Sequence, residues 1–236
     1  MLRYYIQFFL IILINFNLHS QEENNIYSSS SIISKLEKLN TLGKVLYVAA
    51  HPDDENTRLI TYLSNEKKYQ TAYLSLTRGD GGQNLIGKDL KENLGLIRTQ
   101  ELLEARKIDG GIQFFTSAID FGYSKNSKES LEFWNEDQIL YELVWIIRKF
   151  KPDVIITRFN EVSGITHGHH TASSILANKA FRISGNPDIF PDQLEFLESW
   201  KAKRIFWNTS TRFFDLSKYS DDDILKIDVG IYNNIL

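Results

Sequence analysis

Two apolar runs, Lys44–Ala50 (KVLYVAA) and Asp153–Phe159 (DVIITRF), read as buried strands, and the segments around them restrict the chain to one kind of fold. Glu55–Lys67 has helical spacing, with Leu59, Ile60 and Leu63 on one side. Gln70–Thr77 (QTAYLSLT) alternates like a strand and runs into a glycine-rich loop, Arg78–Gly87. Further helices are predicted over Lys91–Ile108, over Asp137–Phe150, which Pro152 stops, and over His170–Ile183. Short strands are predicted over Gly111–Thr116 and Arg204–Asn208. This alternation predicts an α/β fold, a Rossmann-like, mainly parallel sheet with helices on both faces. No internal repeat or second domain is visible. Residues 44–236 are taken as the domain, after a polar, serine-rich linker with one short helix over 21–43. The final run, Lys226–Leu236, stays apolar and strand-like to its last residue, so a domain truncated at its C-terminus is expected.

Composition bounds the function. Of 236 residues, 42% are hydrophobic and 24% charged, which is ordinary for a globular domain. A net charge of -3 leaves no electrostatic footprint for nucleic acid. Residues 1–20 differ from the rest: Arg3 precedes an apolar run, Tyr4–Phe16, and then Leu18-His19-Ser20. They read as a secretory signal cleaved near Ser20. The expectation is a secreted or periplasmic protein of a bacterial envelope, with no membrane span after cleavage; the alternative is an uncleaved anchor, for which the run is short. The absence of cysteine excludes disulfides, a Cys-type zinc site and a lipid-modified cysteine. Nothing fixes an oligomeric state.

The chemistry gathers where the two buried strands end. His51-Pro52-Asp53-Asp54-Glu55 follows the first, and His167, His169 and His170 follow the second by several residues. In one parallel sheet both groups sit on the same C-terminal edge, where open α/β sheets bind ligands. A catalytic zinc ion takes three protein ligands, commonly two His and one carboxylate, and keeps a position for water. His51 and Asp54, three residues apart across a turn, can approach one ion, with a third ligand from the His167–His170 cluster. Asp53 projects differently from Asp54 and can face the water as general base. The competing reading has Asp53 or Asp54 capping the following helix, which accounts for one acid only. Glu55 is assigned to helix N-terminal charge.

These residues resemble the PIG-L (LmbE-like) family, zinc-dependent deacetylases of N-acetylglucosamine-type substrates. The family's AHPDD appears as Ala50-His51-Pro52-Asp53-Asp54, and its HxDH as His167-Gly168-His169-His170. Thr77–Gly82 and the Leu94-Gly95-x-Ile97-Arg98-x-x-Glu101 helix are similar too, so the likeness runs from residue 44 to 183. It implies zinc on His51, Asp54 and His170, Asp53 as general base, and His167 stabilising or protonating the tetrahedral intermediate. His169 stands where the family usually has an aspartate that buttresses its neighbouring histidine. It cannot supply that negative charge and could serve as a spare ligand.

The helix from Lys91 adds a charged pair. At about 100° per residue, Leu94, Ile97, Ala105 and Ile108 share one face with Arg98 and Glu101 in its middle. Either the two form a structural ion pair, or Arg98 reaches substrate and Glu101 holds it; the resemblance favours Arg98 as a binder of substrate hydroxyls. Gly82-x-x-x-x-Gly87-Lys88-Asp89 fails as a P-loop, because Asp89 occupies the Ser/Thr position. The loop is read as a lip over the metal pocket, with Asp80 facing sugar hydroxyls. Tyr123 and Trp134 are candidates for sugar stacking or for the core. The expected protein is thus a metal-dependent hydrolase that removes an N-acetyl group from a small amino-sugar conjugate. Zinc is the expected ion, though such a site also admits iron, cobalt or manganese. The alternatives are a hydrolase of a different amide or ester, and a non-catalytic sugar-binding relic.

Overall fold

The computed structural model describes residues 28–229, apart from 83, 85, 163, 165 and 211–213. Residues 1–20 and the last part of the Lys226–Leu236 run therefore lie outside the described residues. The chain divides into two units, residues 1–36 and 37–236. Helix α1, Ser29–Lys38, crosses that boundary and buries none of its residues.

The larger unit is built on five strands: β1 (Lys44–Ala49), β2 (Gln70–Ser75), β3 (Ile112–Phe115), β4 (Val154–Thr157) and β5 (Arg204–Trp207). They lie in the order β3-β2-β1-β4-β5, with every neighbouring pair parallel. Parallel neighbours require crossovers. Helices α2 (Thr57–Thr61), α3 (Glu92–Asp109), α4 (Ser127–Trp134), α5 (Glu136–Phe150) and α6 (Gly168–Ile183) lie along them, and α2 continues as a π-helix, Tyr62–Glu66.

Side chains alternate across β1. Leu46 and Val48 join Leu74, Leu143, Ile147, Leu176 and Ala180 in one core. Val45, Tyr47 and Ala49 join Tyr73, Leu59, Ile60, Leu63 and Leu102 in the other. Cover on both faces is why β1 and β4 carry no polar alternation. The chain order doubles back between β1 and β4, so their C-terminal ends form the crevice at the topological switch point. An apolar cavity of about 550 Å³, lined by Val45, Ile156, Phe206 and Trp207 among others, includes none of the predicted site residues.

The strands are one to three residues shorter than the apolar runs suggest. The helix expected from Glu55 begins instead at Thr57, because Asn56 Oδ1 accepts the Leu59 N–H at 3.1 Å as its N-cap. Helix α4 is not apparent from hydrophobic spacing. Its signal is the cap pattern Asn126-x-x-Glu129, in which Asn126 Oδ1 accepts the Glu129 N–H. The predicted face of α3 is also corrected. Ile97 is 40% and Ile108 84% exposed, and the buried stripe runs through Leu94, Gly95, Leu102, Arg106 and Asp109. The helix turns polar residues inward because its inner side meets a charge cluster beneath the end of β1.

One buried cation organises the opposite layer. Arg148 of α5 is fully buried and donates to the carbonyls of Ser184, Asn186, Ile189 and Phe190 and to Gln193 Oε1, at 2.7–3.1 Å. It thereby fastens the connection after α6 to the core. Arg148→Met strands these acceptors in an apolar setting, and should lower stability by at least about 3 kcal/mol, read as a fall in the urea midpoint; an unchanged midpoint contradicts the assignment.

Candidate active site

His51 opens a tight turn as β1 ends. Pro52 pre-sets the backbone, and the Asp54 N–H donates back to the His51 carbonyl at 3.3 Å. Asp54 Oδ2 accepts the His51 N–H at 2.7 Å and lies 3.1 Å from His51 Nδ1. Its other oxygen, Oδ1, is 3.3 Å from His170 Nε2. One carboxylate thus joins two histidines that the sequence separates by more than a hundred residues. Burial opposes its charge, but the bonds from His170 and His51 win and hold the Asp54 carboxyl below the usual range. Neither Asp53 nor Asp54 is the helix cap, since Asn56 fills that role. From below, the buried Tyr73 hydroxyl donates to the His51 carbonyl.

The second group stands at the start of α6. His167 holds the N-cap position with extended backbone, and α6 begins at Gly168. A Cβ on Gly168 would overlap the Asn126 carbonyl, so glycine lets the loop before α4 lie against the helix start. That loop delivers Ser124, which is fully buried. Its Oγ accepts the His169 N–H at 2.8 Å and lies 3.2 Å from His167 Nδ1 and 3.1 Å from His169 Nδ1. The His51 ring centre is 5.1 Å from those of His167 and His170 and 5.3 Å from that of His169. His170 stacks on Phe159 at 3.8 Å. His169, fully buried, packs on Phe121 at 4.4 Å and Trp134 at 4.9 Å. Burial, with the neighbouring imidazoles, pushes His167 down to about 4 and His169 down to about 3, so both rings are neutral at pH 7.

Asp53 faces outward, its side chain 71% exposed, and Arg98 Nη2 reaches it at 3.2 Å. Glu101 is exposed, and the ion pair formed by Arg98 is with Asp53, which corrects the expected Arg98–Glu101 pair. Gly79, at φ 68°, and Gly82 leave room for the Arg98 guanidinium, and Gly81 for the Asp120 carbonyl. The glycine-rich loop therefore seats two site residues. Asp80 belongs to that arrangement, its Oδ1 accepting the Asp120 N–H at 3.2 Å. Asp120, absent from the sequence reading, is buried with Oδ2 3.9 Å from His51 Nε2. Burial pushes its carboxyl up. Its signal is position, a carboxylate five residues past β3 on the same sheet edge. Trp134 is core, its Nε1 donating to the Ile119 carbonyl, whereas Tyr123 is exposed beside His167.

The donor set fits a divalent ion. Donor atoms of His51, His167 and His170 lie within 4.8 Å of one another, and so do those of His51, Asp53 and Asp54 and of His51, Asp120 and His169. His51 is common to these groups. Among the described residues, His170 Nδ1 and His169 Nε2 are buried with no hydrogen-bond partner. Mixed imidazole and carboxylate donors suit zinc and other first-row divalent metals.

Glu55 is not the surface helix charge that the sequence suggests. Its Oε1 lies 3.3 Å from Arg106 Nη2, inside the protein, and the same nitrogen lies 2.5 Å from Asp109 Oδ2. Arg106 Nη1 donates to Gln113 at 3.2 Å, and its guanidinium sits 5.4 Å from the centre of the Tyr73 ring. This cluster underlies the tyrosine that holds the His51 carbonyl.

Fold and site together define a doubly wound α/β protein with a histidine–carboxylate cluster at its switch point. The sequence matches the GlcNAc-PI de-N-acetylase (PIG-L) family over residues 46–181, and the chain belongs to that family. It is 26% identical to a mycothiol S-conjugate amidase of Streptomyces coelicolor over 180 residues, covering 70% of the chain and 60% of that protein. It is 25% identical to a 1D-myo-inositol 2-acetamido-2-deoxy-alpha-D-glucopyranoside deacetylase of Thermobispora bispora over 188 residues, 72% of the chain and 60% of that protein. The chain thus spans about 60% of the length of these relatives. Its fold is similar to that of N,N'-diacetylchitobiose deacetylase from Pyrococcus horikoshii, with a TM-score of 0.56, 20% identity, and coverage of 76% of this chain and 68% of that one. A Pseudomonas putida 4-carboxy-2-hydroxymuconate hydratase shares it at a TM-score of 0.54 and 18% identity, over 70% of this chain and 64% of that one.

Arg106→Met leaves Glu55 and Asp109 without their buried cation. The expected loss is about 3–5 kcal/mol, measured by urea denaturation; a variant as stable as the parent would show that the cluster contributes nothing.

Proposed function

We propose that this chain is a metal-dependent amide hydrolase that removes an N-acetyl group, or a similar acyl group, from an N-acetylglucosamine-type conjugate. The observation that carries this reading is the Asp54 carboxylate set between His51 and His170, with the exposed Asp53 beside it. The activities of two relatives support it, a deacetylase of a 2-acetamido-2-deoxy-glucopyranoside of inositol and an amidase of a mycothiol S-conjugate. His51, Asp54 and His170 would hold the ion, with zinc the expected metal. Bound there, it would lower the pKa of a water molecule to about 7 and polarise the amide carbonyl.

The protein's own groups supply the rest. Asp53, oriented by Arg98, takes a proton from the water that attacks the carbonyl. His167 donates a hydrogen bond to the oxygen on which negative charge develops. The proton returns from Asp53 to the departing amine, leaving acetate and a free amino sugar. Arg98 and Asp80 take sugar hydroxyls in this reading, Asp80 with the oxygen not engaged by Asp120, and the exposed face of Tyr123 offers a stacking surface. Export by a signal over residues 1–20, and a deacetylase domain over 44–236, belong to the same proposal.

Metal analysis of the chain, paired with detection of free amine from N-acetylglucosamine conjugates, tests it directly; metal bound without amine release redirects the search to another amide or an ester. Asp53→Asn should keep its metal and lose about 10²–10⁴-fold in kcat, and a fully active variant removes Asp53 as the base. In His170→Ala the metal should be lost on dialysis, whereas an unchanged metal content takes His170 out of the ligand set.

A further inference from the structure

Ser124 touches three nitrogens with one hydroxyl. Its Oγ accepts the His169 backbone N–H at 2.8 Å and faces His169 Nδ1 at 3.1 Å and His167 Nδ1 at 3.2 Å. A serine hydroxyl has two acceptor lone pairs and one proton. The backbone N–H occupies one lone pair. What remains is one lone pair and one O–H, shared between two ring nitrogens. Both rings cannot donate, and both cannot accept, so the two histidines must carry opposite tautomers.

The surroundings of His169 decide the direction. Its Nε2 is buried and has no partner. If His169 Nδ1 accepted the serine proton, Nε2 would carry a buried N–H with no acceptor. Buried N–H groups without a partner are rarer than under-satisfied acceptors, and each costs about 1–3 kcal/mol. His169 therefore holds its proton on Nδ1 and gives that bond to Ser124.

We infer that Ser124 and His169 are positioning residues forming a hydroxyl relay: His169 Nδ1–H donates to Ser124 Oγ, and Ser124 Oγ–H donates to His167 Nδ1, so that the His167 proton resides on Nε2. Ser124 is not identified by any sequence motif, and the relay occupies the place where the chain departs from HxDH. Two consequences follow. His167 presents a fixed N–H donor to the pocket, which deepens, and rests on, the deacetylase reading above. A protonated Nε2 has no lone pair for a metal, so His167 is excluded as a ligand although its donor atoms lie within 4.8 Å of those of His51 and His170.

The test is ¹⁵N NMR of the ring nitrogens in the full chain with zinc added, the signals assigned through His167→Gln and His169→Gln. The expected result is an Nε2–H tautomer for His167 and an Nδ1–H tautomer for His169. The reverse order, or the same tautomer in both, overturns the relay, whatever the activity. Assigned tautomers without amine release would instead overturn the deacetylase reading and leave the relay standing. Ser124→Ala should release His167 into a mixture of tautomers and lower kcat about 10-fold with zinc content unchanged, and Ser124→Thr, which keeps the hydroxyl, should restore both. A Ser124→Ala protein whose His167 keeps a single Nε2–H tautomer would also overturn it.

Discussion

The site depends on one carboxylate accepting from both sides. Asp54 closes the turn on the His51 N–H, lies against the His51 ring and meets His170 across the switch-point crevice. Chain order β3-β2-β1-β4-β5 makes that meeting possible, because β1 and β4 are neighbours and release their C-terminal loops side by side. The apolar residues of β1 and β4 thus serve the chemistry indirectly. They bury both faces of the central strands and so fix where the two loops emerge.

Beneath it, the fold keeps several charges inside. Arg106 with Glu55 and Asp109, and Arg148 with its carbonyls, are buried cations with their acceptors supplied. Each ties together segments that hydrophobic packing alone would leave free to slide. The Arg106 cluster does so immediately under Tyr73, whose hydroxyl anchors the His51 carbonyl. Buried ion pairs are weak arguments for net stability. They are strong arguments for geometry, since a shifted partner leaves an uncompensated charge.

What the sequence makes legible is local. The end of an apolar run in His51-Pro52-Asp53-Asp54 declares both a strand terminus and a donor cluster, and the spacing of three brings His51 and Asp54 into one turn. The alternation of elements announces a parallel sheet, and therefore a shared edge for the two histidine groups. What stays hidden is whatever depends on a partner from another element. Arg98 belongs to Asp53 across the loop, not to Glu101 along its helix. Helical periodicity misjudges α3 because its inner face is partly ionic, so hydrophobic spacing points outward to Ile108. Asp120 and Ser124 carry no motif; their roles come from loops that glycines allow to lie close.

His169 shows how a site can keep a geometry while changing the charge that enforces it. A carboxylate at this position would be buried between Phe121 and Trp134, near Asp54 and Asp120, which already flank His51. Adding a third negative group to such a cluster raises the carboxylate pKa values and favours protonation of one of them. A neutral imidazole avoids that repulsion and fits the aromatic walls. It can still orient His167 because direction is transmitted through the Ser124 hydroxyl rather than through a field. The cost is electrostatic. Without an adjacent carboxylate, burial and the other imidazoles keep His167 neutral at pH 7, so it is suited to donating a hydrogen bond to an oxyanion and poorly suited to surrendering a proton from a charged ring. In the proposed mechanism the proton shuttle therefore falls to Asp53, which is exposed and paired with Arg98.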